Sequence, residues 1–467
     1  MRHILYSIHI LLVTDVHSQP SLWGITSMAG EFNKGNIFSI NTDGSGRWTR
    51  FDFDGLSGWA LDGGLCLASN AYLYGVCKLG GELDPAKGTL IKIDPITGAF
   101  YKLMDFDGSN GGSCHAPLLS ASDGLLYGSA FDGEGTGGSI FSVDPATDIY
   151  TELYALDQYN DGAQIRGRLC ELPDGSLFGT SSQEGISDNY GTIFKYIPSV
   201  DSLVKVHDFD GDVYGGTPYG GLTLAADGWL YGTTYKGGNE DKGIIYRFHP
   251  DQLLFEKIID LHDVGLFDCS SSLLSINNDL LIGSAGGGGS NGAGALFSVI
   301  PSTGVVIEIS AFTFATGAEP IGSPMLGDDG YVYGTTYSGG PSFGGSIYRF
   351  DPQTSTREDV YQFTPIMIGA KPTAPLTLVH GNVSIEESAN TGTIQIFPNP
   401  TSGMLTLMCD PKVVPVSVNI ADATGRSLQK LSLLQHNTTI DLNLPVGFYF
   451  VSIYSKAGST SKRVVVQ

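Results

Sequence analysis

The 467-residue chain has little positive charge. It contains 25 Lys and Arg residues against 48 Asp and Glu residues, so its formal net charge is −23 at pH 7. Proteins that bind nucleic acids neutralise the phosphates with Lys and Arg, and anionic membrane surfaces attract basic segments in the same way. We therefore expect no nucleic-acid partner and no attachment to anionic lipid. The acidity indicates solubility and identifies no partner.

The chain also lacks a hydrophobic run long enough to span a bilayer. Its most apolar stretch, 4–13, follows a basic start, whereas a membrane-spanning helix needs about 20 apolar residues. Val16 and Ser18 supply small side chains ahead of Gln19, which is typical of a signal-peptidase site. The sequence therefore predicts a signal peptide at 1–18, an exported mature chain and no transmembrane span.

Familiar enzyme motifs are absent from the sequence. It has no G-x-S-x-G, no H-E-x-x-H and no Cys and His cluster with the spacing of a zinc site. With 41% hydrophobic and 10% aromatic residues it is nevertheless globular rather than disordered. Its length exceeds what one hydrophobic core normally holds, so we expect at least two modules.

Glycine is abundant, with 64 residues, and much of it lies in a repeated phrase. The segment "DGWLYGTTYKGG" at 227–238 returns as "DGYVYGTTYSGG" at 329–340. Seven glycines that follow an aromatic or aliphatic pair are 51, 53, 51, 53, 51 and 51 residues apart. They are Gly24, Gly75, Gly128, Gly179, Gly232, Gly283 and Gly334. This fixed period indicates a repeat architecture.

Each repeat contains four short apolar runs. In the fifth repeat these runs are 221–225, 229–235, 243–248 and 254–261. Asp-Gly between the first two runs favours a two-residue hairpin turn, and a Pro after the third run predicts a second hairpin. The third run is apolar on both faces, as expected for a sheet covered on both sides. Four-stranded antiparallel sheets repeated around an axis predict an all-β, seven-bladed β-propeller.

The two ends of the repeat region complement each other. The first repeat lacks its first strand, while a spare copy of that strand, "APLTLV" at 374–379, follows the seventh repeat. We expect this segment to complete the first blade and close the ring by strand exchange, which removes the exposed sheet edges. The recurring glycine would then lie in mid-strand, where its missing side chain lets another backbone approach closely.

The phrase "DGxLYGTTxxGG", followed by "GTIFKxxP" and "DFDG", resembles the GloVer repeat of choice-of-anchor tandem-repeat proteins. The resemblance covers roughly residues 21–379. It implies the propeller fold and no defined activity. We assign the propeller to 19–380 and a polar linker to 381–393.

Residues 394–467 alternate strand-like runs with turn residues, which predicts a small Ig-like β-sandwich. This segment resembles the type A sorting domain of the type IX secretion system of Bacteroidota. The matching residues include Pro398, Asn399, Pro400, Gly403, Gly425, Gly447, Tyr449 and Lys462. The resemblance implies that the type IX secretion machinery is a partner. The chain would pass through the periplasm and then be secreted or held at the outer-membrane surface.

The cysteines are expected to be buried thiols. Cys66 and Cys170 occupy equivalent positions, as do Cys114 and Cys269, but neither pair lies in neighbouring repeats. Cys66 and Cys77 share a hairpin as diagonal neighbours, whose Cβ atoms are about 7 Å apart. That separation is too large for a relaxed disulfide.

The phrase "DFDG" occurs three times and is extended once by a further carboxylate. Asp208, Asp210 and Asp212 could bind Ca²⁺, whose protein ligands are oxygen atoms. The alternative is a fourth strand with outward-facing carboxylates that ends in a turn. Because no complete calcium loop follows, we predict no cofactor and keep Ca²⁺ as a hypothesis.

The longer connections lie on one face of the predicted propeller, and variable loops on a rigid scaffold commonly carry function. One loop position, thirteen residues before the repeat glycine, changes from blade to blade. It holds Asp62, His115, Arg166, Tyr219, Ser270 and Ile321, with Thr373 in the closing segment. We predict that the first four line a polar pocket at the mouth of the central channel, helped by Trp59 and Tyr214.

These features predict a secreted or cell-surface propeller that binds or presents ligands without catalysis. Carbohydrate is the candidate ligand class, because aromatic faces with acidic and amide groups suit sugar rings; an extracellular protein is the other candidate partner. The alternative is a secreted polysaccharide hydrolase or lyase that uses His115 and Arg166. A third possibility is a purely structural surface repeat.

Overall fold

The computed structural model describes residues 20–133, 137–184, 190–364, 369–380, 394–397, 404–409, 415–421, 427–432, 437–442, 444, 447–455 and 458–466. One compact unit comprises Ser21–Val379, and the strands from residue 394 onward belong to a second unit. The predicted signal peptide and linker lie outside the described residues. In the part of the chain that is described, no helix is long and apolar enough to cross a membrane.

Seven antiparallel sheets of four or five strands, one for each sequence repeat, form the first unit together with one two-stranded sheet. The first three blades contain β1 (Ser21–Met28), β2 (Asn36–Asn41), β3 (Trp48–Asp52), β4 (Cys66–Leu67), β5 (Leu73–Cys77), β6 (Thr89–Ile93), β7 (Phe100–Asp105), β8 (Leu119–Ser120), β9 (Leu126–Ala130), β10 (Ser139–Asp144) and β11 (Ile149–Ala155). The fourth and fifth contain β12 (Ala163–Ile165), β13 (Cys170–Glu171), β14 (Leu177–Gln183), β15 (Thr192–Ile197), β16 (Ser202–Asp208), β17 (Thr223–Leu224), β18 (Leu230–Thr233), β19 (Ile244–His249) and β20 (Leu254–Asp260).

The remaining strands complete the ring. They are β21 (Leu266–Phe267), β22 (Leu274–Asn277), β23 (Leu280–Ala285), β24 (Gly287–Gly288), β25 (Ala295–Ile300), β26 (Val305–Ala311), β27 (Met325–Leu326), β28 (Val332–Thr336), β29 (Ser346–Asp351), β30 (Thr356–Gln362), β31 (Ala370–Pro372) and β32 (Thr377–Val379). Short 3₁₀ turns lie at Pro198–Val200, Asn239–Asp241 and Leu261–Val264. The first strands of neighbouring blades contact one another; for example, β4 contacts β8, and β22 contacts β27. These strands therefore surround the central axis.

The ring closes by strand exchange, as the sequence predicts. Strand β1 pairs with β2 on one side and with β32 on the other, where Leu22 faces Leu378 and Trp23 faces Thr377. Residues from near both ends of the unit therefore share one sheet. The seven-bladed propeller with an exchanged closing strand is confirmed.

An aromatic side chain explains the recurring glycine. Gly128 of β9 faces Phe141 of the third strand, and a Cβ at Gly128 would overlap both the Phe141 ring and Leu118. The same glycine and aromatic pairs occur at Gly24 and Phe38, Gly179 and Phe194, Gly232 and Tyr246, Gly283 and Phe297, and Gly334 and Tyr348. The expectation of a closely approaching backbone was wrong in these six blades, where the aromatic ring of the third strand fills this space; in the second blade Gly75 faces Leu61 and the backbone of Gly64 instead.

The turn between the first and second strands also differs from the prediction. In the third blade Gly124 N–H donates to Ala121 O (3.1 Å) and Ala121 N–H donates to Leu125 O (2.9 Å). Three residues therefore form the loop, and Gly124 at φ 90° supplies its left-handed position. This geometry is the three-residue hairpin loop with a glycine bulge rather than the two-residue turn.

The Asp of this turn has a second role. The Tyr127 hydroxyl donates a hydrogen bond to Asp123 (2.7 Å). Tyr231 donates to Asp227 and Tyr333 donates to Asp329 over the same distance. The phrase "DGxLYG" therefore encodes a hydrogen bond from strand to turn, which holds the hairpin closed.

The second unit has two antiparallel sheets, ordered β33-β34-β37 and β36-β35-β38-β39. Its strands are β33 (Ile394–Phe397), β34 (Met404–Cys409), β35 (Pro415–Ala421), β36 (Ser427–Ser432), β37 (Asn437–Asp441), β38 (Gly447–Ser455) and β39 (Gly458–Val466). Buried residues of both sheets, among them Leu405 and Val418, form one hydrophobic cluster, as in a sandwich. An immunoglobulin-like topology stays a prediction.

The sorting-signal residues are only partly placed. Gly447 begins β38, Tyr449 is buried in the cluster, and Lys462 lies in β39. The remaining ones lie outside the described residues; these are Pro398, Asn399, Pro400, Gly403 and Gly425.

Candidate functional site

Each blade places one non-glycine residue in the left-handed backbone region just ahead of its first strand. These residues, with φ between 49° and 63°, are Ala60, Ser113, Gln164, Thr217, Asp268, Glu319 and Lys371. In the fifth blade Thr217 N–H donates to Tyr190 O of the preceding blade (2.7 Å), and its carbonyl accepts from Tyr235 N–H (3.2 Å). Left-handed geometry costs about 1 kcal/mol per residue, and these two bonds, one between blades and one within the fifth blade, offset it.

Two residues later comes the loop position predicted to face the channel. Just beyond it the backbone is bonded from blade to blade: Gly221 N–H donates to Ser272 Oγ (2.8 Å), and Ser272 N–H donates to Ser323 Oγ (2.9 Å). The inner segments of these blades are therefore joined to one another; the position of the variable side chains at the channel entrance stays a prediction.

A third set of residues completes this entrance. It follows the repeat glycine by three positions and comprises Ser27, Lys78, Phe131, Ser182, Tyr235, Gly286 and Tyr337. We define the channel mouth as these residues together with the left-handed residues and the variable position two residues after them.

Asp62 and His115 form a pair across the second and third blades. His115 Nδ1 lies 3.4 Å from Asp62 Oδ2, which is also 3.7 Å from Lys78 Nζ. Burial lowers the pKa of His115; the bond to Asp62 opposes this shift, and the charges of Lys78 and Arg166 add to it. The lowered pKa favours the neutral imidazole, and a proton on Nδ1 would face Asp62 and leave Nε2 as an acceptor.

Arg166 lies among aromatic rings. Its Cζ is 4.6 Å from the Tyr219 ring and 5.4 Å from the Phe131 ring, and His115 packs against the same Phe131 at 5.1 Å. Tyr219 in turn lies 4.8 Å from Tyr235. The four principal predicted residues therefore form one cluster, which also contains Lys78, Phe131 and Tyr235, three residues that the sequence analysis missed.

The cluster occupies one side of the mouth. At the equivalent position the sixth blade has Ser270, the seventh Ile321 and the closing segment Thr373. Ser270 Oγ donates to the backbone of Ile321 (3.4 Å). The charged and aromatic side chains at this position therefore belong to blades two to five.

The two auxiliary residues make other contacts. The exposed Tyr214 ring packs 5.4 Å from Phe255 and 5.8 Å from His207, both on fourth, outermost strands. Its placement at the mouth was wrong. The Trp59 ring contacts Lys34 (4.6 Å), and its backbone pairs with Leu79.

The hypothetical calcium ligands are engaged in other contacts. Asp208 pairs with Lys205 (3.0 Å), and Asp210 accepts from the N–H groups of Asp212 (2.9 Å) and Tyr214 (2.8 Å) in a turn. Among the residues that the structure describes, no group of three or more His, Cys, Asp or Glu side chains could hold a metal ion. Calcium binding stays a prediction.

A cavity of about 450 Å³ lies on the opposite face, between the hairpins of the fifth and sixth blades. Its two carboxylates already serve the hairpins, because Asp227 accepts from Tyr231 and Asp279 accepts from Ser302 (2.6 Å). The mouth therefore remains the better candidate.

Comparison with known families agrees with the fold. Residues 12–137 and 110–278 match the Gloeobacter/Verrucomicrobia repeat, and residues 395–467 match the secretion system C-terminal sorting domain. The repeat matches span more than half of the chain, so the chain belongs to this repeat family. The type IX sorting tail directs it to secretion or to the cell surface.

Several solved structures are similar to this chain. Periplasmic gluconolactonase PpgL of Pseudomonas aeruginosa is 17% identical with a TM-score of 0.54, over 77% of this chain and 99% of PpgL. PorZ, a surface component of the type IX secretion system of Porphyromonas gingivalis, is 14% identical (TM-score 0.45; 93% of this chain). TolB of Acinetobacter baumannii is 16% identical (TM-score 0.40; 63% of this chain).

The chain covers 63% of the length of PorZ and 64% of that of TolB. Identities this low show the fold alone. A comparison with curated protein sequences finds no match.

Proposed function

We propose that this exported propeller binds an extracellular carbohydrate at the channel mouth and does not transform it. The observation that supports the proposal is the one-sided cluster of Asp62, His115, Arg166 and Tyr219, set on a backbone that is otherwise the same in every blade. A repeat protein that served only as a spacer would have no need of such an asymmetric set.

The side chains of the cluster suit a sugar. Tyr219 and Tyr235 offer ring faces for the C–H groups of a pyranose, and both are partly exposed. His115 Nε2 and the Asp62 carboxylate accept hydrogen bonds from hydroxyl groups. Pockets that combine aromatic walls with a few fixed polar groups are typical of small-molecule sites.

One observation favours a second candidate, a polysaccharide hydrolase or lyase. A neutral His oriented by a carboxylate can act as a general base, and Asp62 and His115 have this arrangement. Such an enzyme would act at the same mouth, so turnover must be measured alongside binding.

The test is a glycan array probed with the full chain, followed by titration of the best ligand. His115→Ala and Tyr219→Ala should each weaken binding by about tenfold or more, since each removes a buried or stacking contact. Ser270→Ala and Ile321→Ala are matched controls, because they alter the same position in other blades, and they should bind as the parent does.

An empty array, or equal losses in the four variants, would rule out this binding site. Release of reducing ends or unsaturated products, abolished in His115→Ala, would establish the enzymatic alternative instead.

A further inference from the structure

We infer that the carbohydrate bound at the channel mouth carries an anionic group, a carboxylate or a sulfate, and that Arg166 binds it. This inference rests on the proposed function and specifies its ligand class. It follows from the contacts of Arg166, from the charge of the mouth and from the position of His115.

Arg166 has no carboxylate partner among the described residues. Arg247 and Arg349, by contrast, are paired with Glu256 (2.6 Å) and Glu358 (2.5 Å). In the part of the chain that the structure describes, the Arg166 guanidinium packs on the faces of Tyr219 and Phe131 instead. Rings on which a guanidinium packs hold it in place and leave its N–H groups free to donate to an anion.

One of these N–H groups is buried. Arg166 Nε is shielded from solvent and has no hydrogen-bond partner. A buried donor without an acceptor destabilises a fold, so its retention at a candidate binding site indicates that a ligand supplies the acceptor. A carboxylate or sulfate can accept from Nε and a terminal nitrogen together.

Asp62, the acid of the cluster, does not serve as the counter-ion. Asp62 contacts Lys78 and His115, and no ion pair joins Asp62 to Arg166. The mouth as defined above has three cations and three carboxylates, so its formal charge cancels, whereas the chain carries −23. These residues are Lys78, Arg166, Lys371, Asp62, Asp268 and Glu319. An anion can therefore approach the mouth with less repulsion than the acidic chain as a whole would exert.

His115 complements Arg166. Both side chains contact Phe131, at 5.1 and 5.4 Å, so one ring brings them together. Arg166 donates only, while the neutral His115 presents Nε2 as an acceptor. An acidic sugar ring carries both partners that this pair requires, an anionic group and a neighbouring hydroxyl.

The experiment uses the full chain and three saccharide probes: galacturonate oligomers, the same oligomers as methyl esters, and a heparin-derived sulfated oligosaccharide. The methyl ester keeps the ring and removes the charge. We expect the parent protein to bind one of the two anionic probes at least tenfold more tightly than the ester, since charge-assisted hydrogen bonds discriminate at this level. The anionic probe that binds more tightly identifies carboxylate or sulfate.

Arg166→Gln should remove this preference, so that the anionic probe and the ester bind equally, and Arg166→Lys should retain part of it because Lys keeps the charge but not the planar fork. Unchanged melting temperatures exclude a folding defect, and Arg247→Gln, at an arginine outside the mouth, is the matched control.

Binding of neither anionic probe more tightly than the ester would overturn this inference and leave the glycan-binding function intact. A preference that survives in Arg166→Gln would overturn the role of Arg166. Failure of every saccharide to bind would overturn the proposed function and this inference with it.

Discussion

The two faces of the propeller use the repeat differently. On the hairpin face the same interaction recurs, because the turn Asp accepts from the strand Tyr in the third, fifth and seventh blades. At the channel mouth the backbone recurs, with one left-handed residue per blade, but the side chains differ. The comparison teaches that the shared residues stabilise the scaffold while the mouth is free to vary. Stability losses should therefore arise outside the mouth, and binding losses within it.

The largest stability effect is expected when the pH is lowered, and its source is His207, which lies on a fourth strand away from the mouth. Its ring stacks on Phe255 at 4.1 Å, and Nε2 is buried without a partner. Burial lowers the pKa of His207 to about 4, against the opposing effect of Asp208 and Asp210. At pH values between about 4 and the usual His pKa of about 6.5, the His207 ring is protonated in the unfolded chain and neutral in the native chain. The unfolding free energy should therefore fall with falling pH, by about 3 kcal/mol in all.

Urea unfolding near neutral pH and near pH 4.5 measures this loss, with roughly 2–3 kcal/mol expected at the lower pH. In His207→Phe the unfolding free energy should fall by roughly 2–3 kcal/mol less than in the parent when the pH is lowered. Substitution of the exposed His262 should leave the fall as it is in the parent. Identical pH dependence in the parent and in His207→Phe would exclude His207 as its source.

Gly128→Ala should produce the next largest loss, about 2 kcal/mol, because the new methyl group would overlap the Phe141 ring and Leu118. Adding Phe141→Leu should recover part of this loss, since the smaller side chain makes room. A double-mutant cycle by chemical denaturation gives the coupling. Strictly additive effects would show that Phe141 is not the reason for the glycine.

Two tyrosines of the seventh blade make a matched pair. Tyr333 donates to Asp329 (2.7 Å), whereas the Tyr348 hydroxyl is buried without a partner. Tyr333→Phe should cost about 1–2 kcal/mol, since it removes a bond to a carboxylate. Tyr348→Phe should be neutral or stabilising, because Phe occupies this position in other blades. Equal losses in thermal unfolding would contradict the role given to the turn Asp.

The blade number and the closing strand could be predicted because they depend on local patterns. The spacing of the repeat glycines predicted the number of blades, and the spare segment at 374–379 predicted the strand that closes the ring. The left-handed residues could not be predicted, because Ala60, Thr217 and Lys371 share no side-chain property. Hydrogen bonds between neighbouring blades impose their conformation, and such long-range pairing leaves no trace in a single repeat.

The candidate site was predictable in part for a similar reason. Asp62, His115, Arg166 and Tyr219 share one position of the repeat, so their clustering followed from symmetry. Phe131 and Tyr235 follow the second strands, outside the loops from which the site was predicted. Both lie three residues after a repeat glycine, so their shared position in the repeat could have revealed them. Tyr214 was misplaced because the turn at Asp210 directs its loop toward the outer strands.

The smallest effect is expected at the mouth itself, for Asp62→Asn. The Asp62 carboxylate contacts Lys78 at 3.7 Å and His115 at 3.4 Å, and its side chain is 32% exposed. Ion pairs of this kind contribute about 0–1 kcal/mol because water and salt screen them, so the loss should stay below about 0.5 kcal/mol. The pKa of His115 should nevertheless fall further, since the bond to Asp62 is what raises it. Chemical denaturation and an NMR titration of His115 measure the two quantities. If Asp62→Asn destabilised the propeller as much as Gly128→Ala, the mouth would be part of the stabilising framework, and the division between the two faces would be wrong.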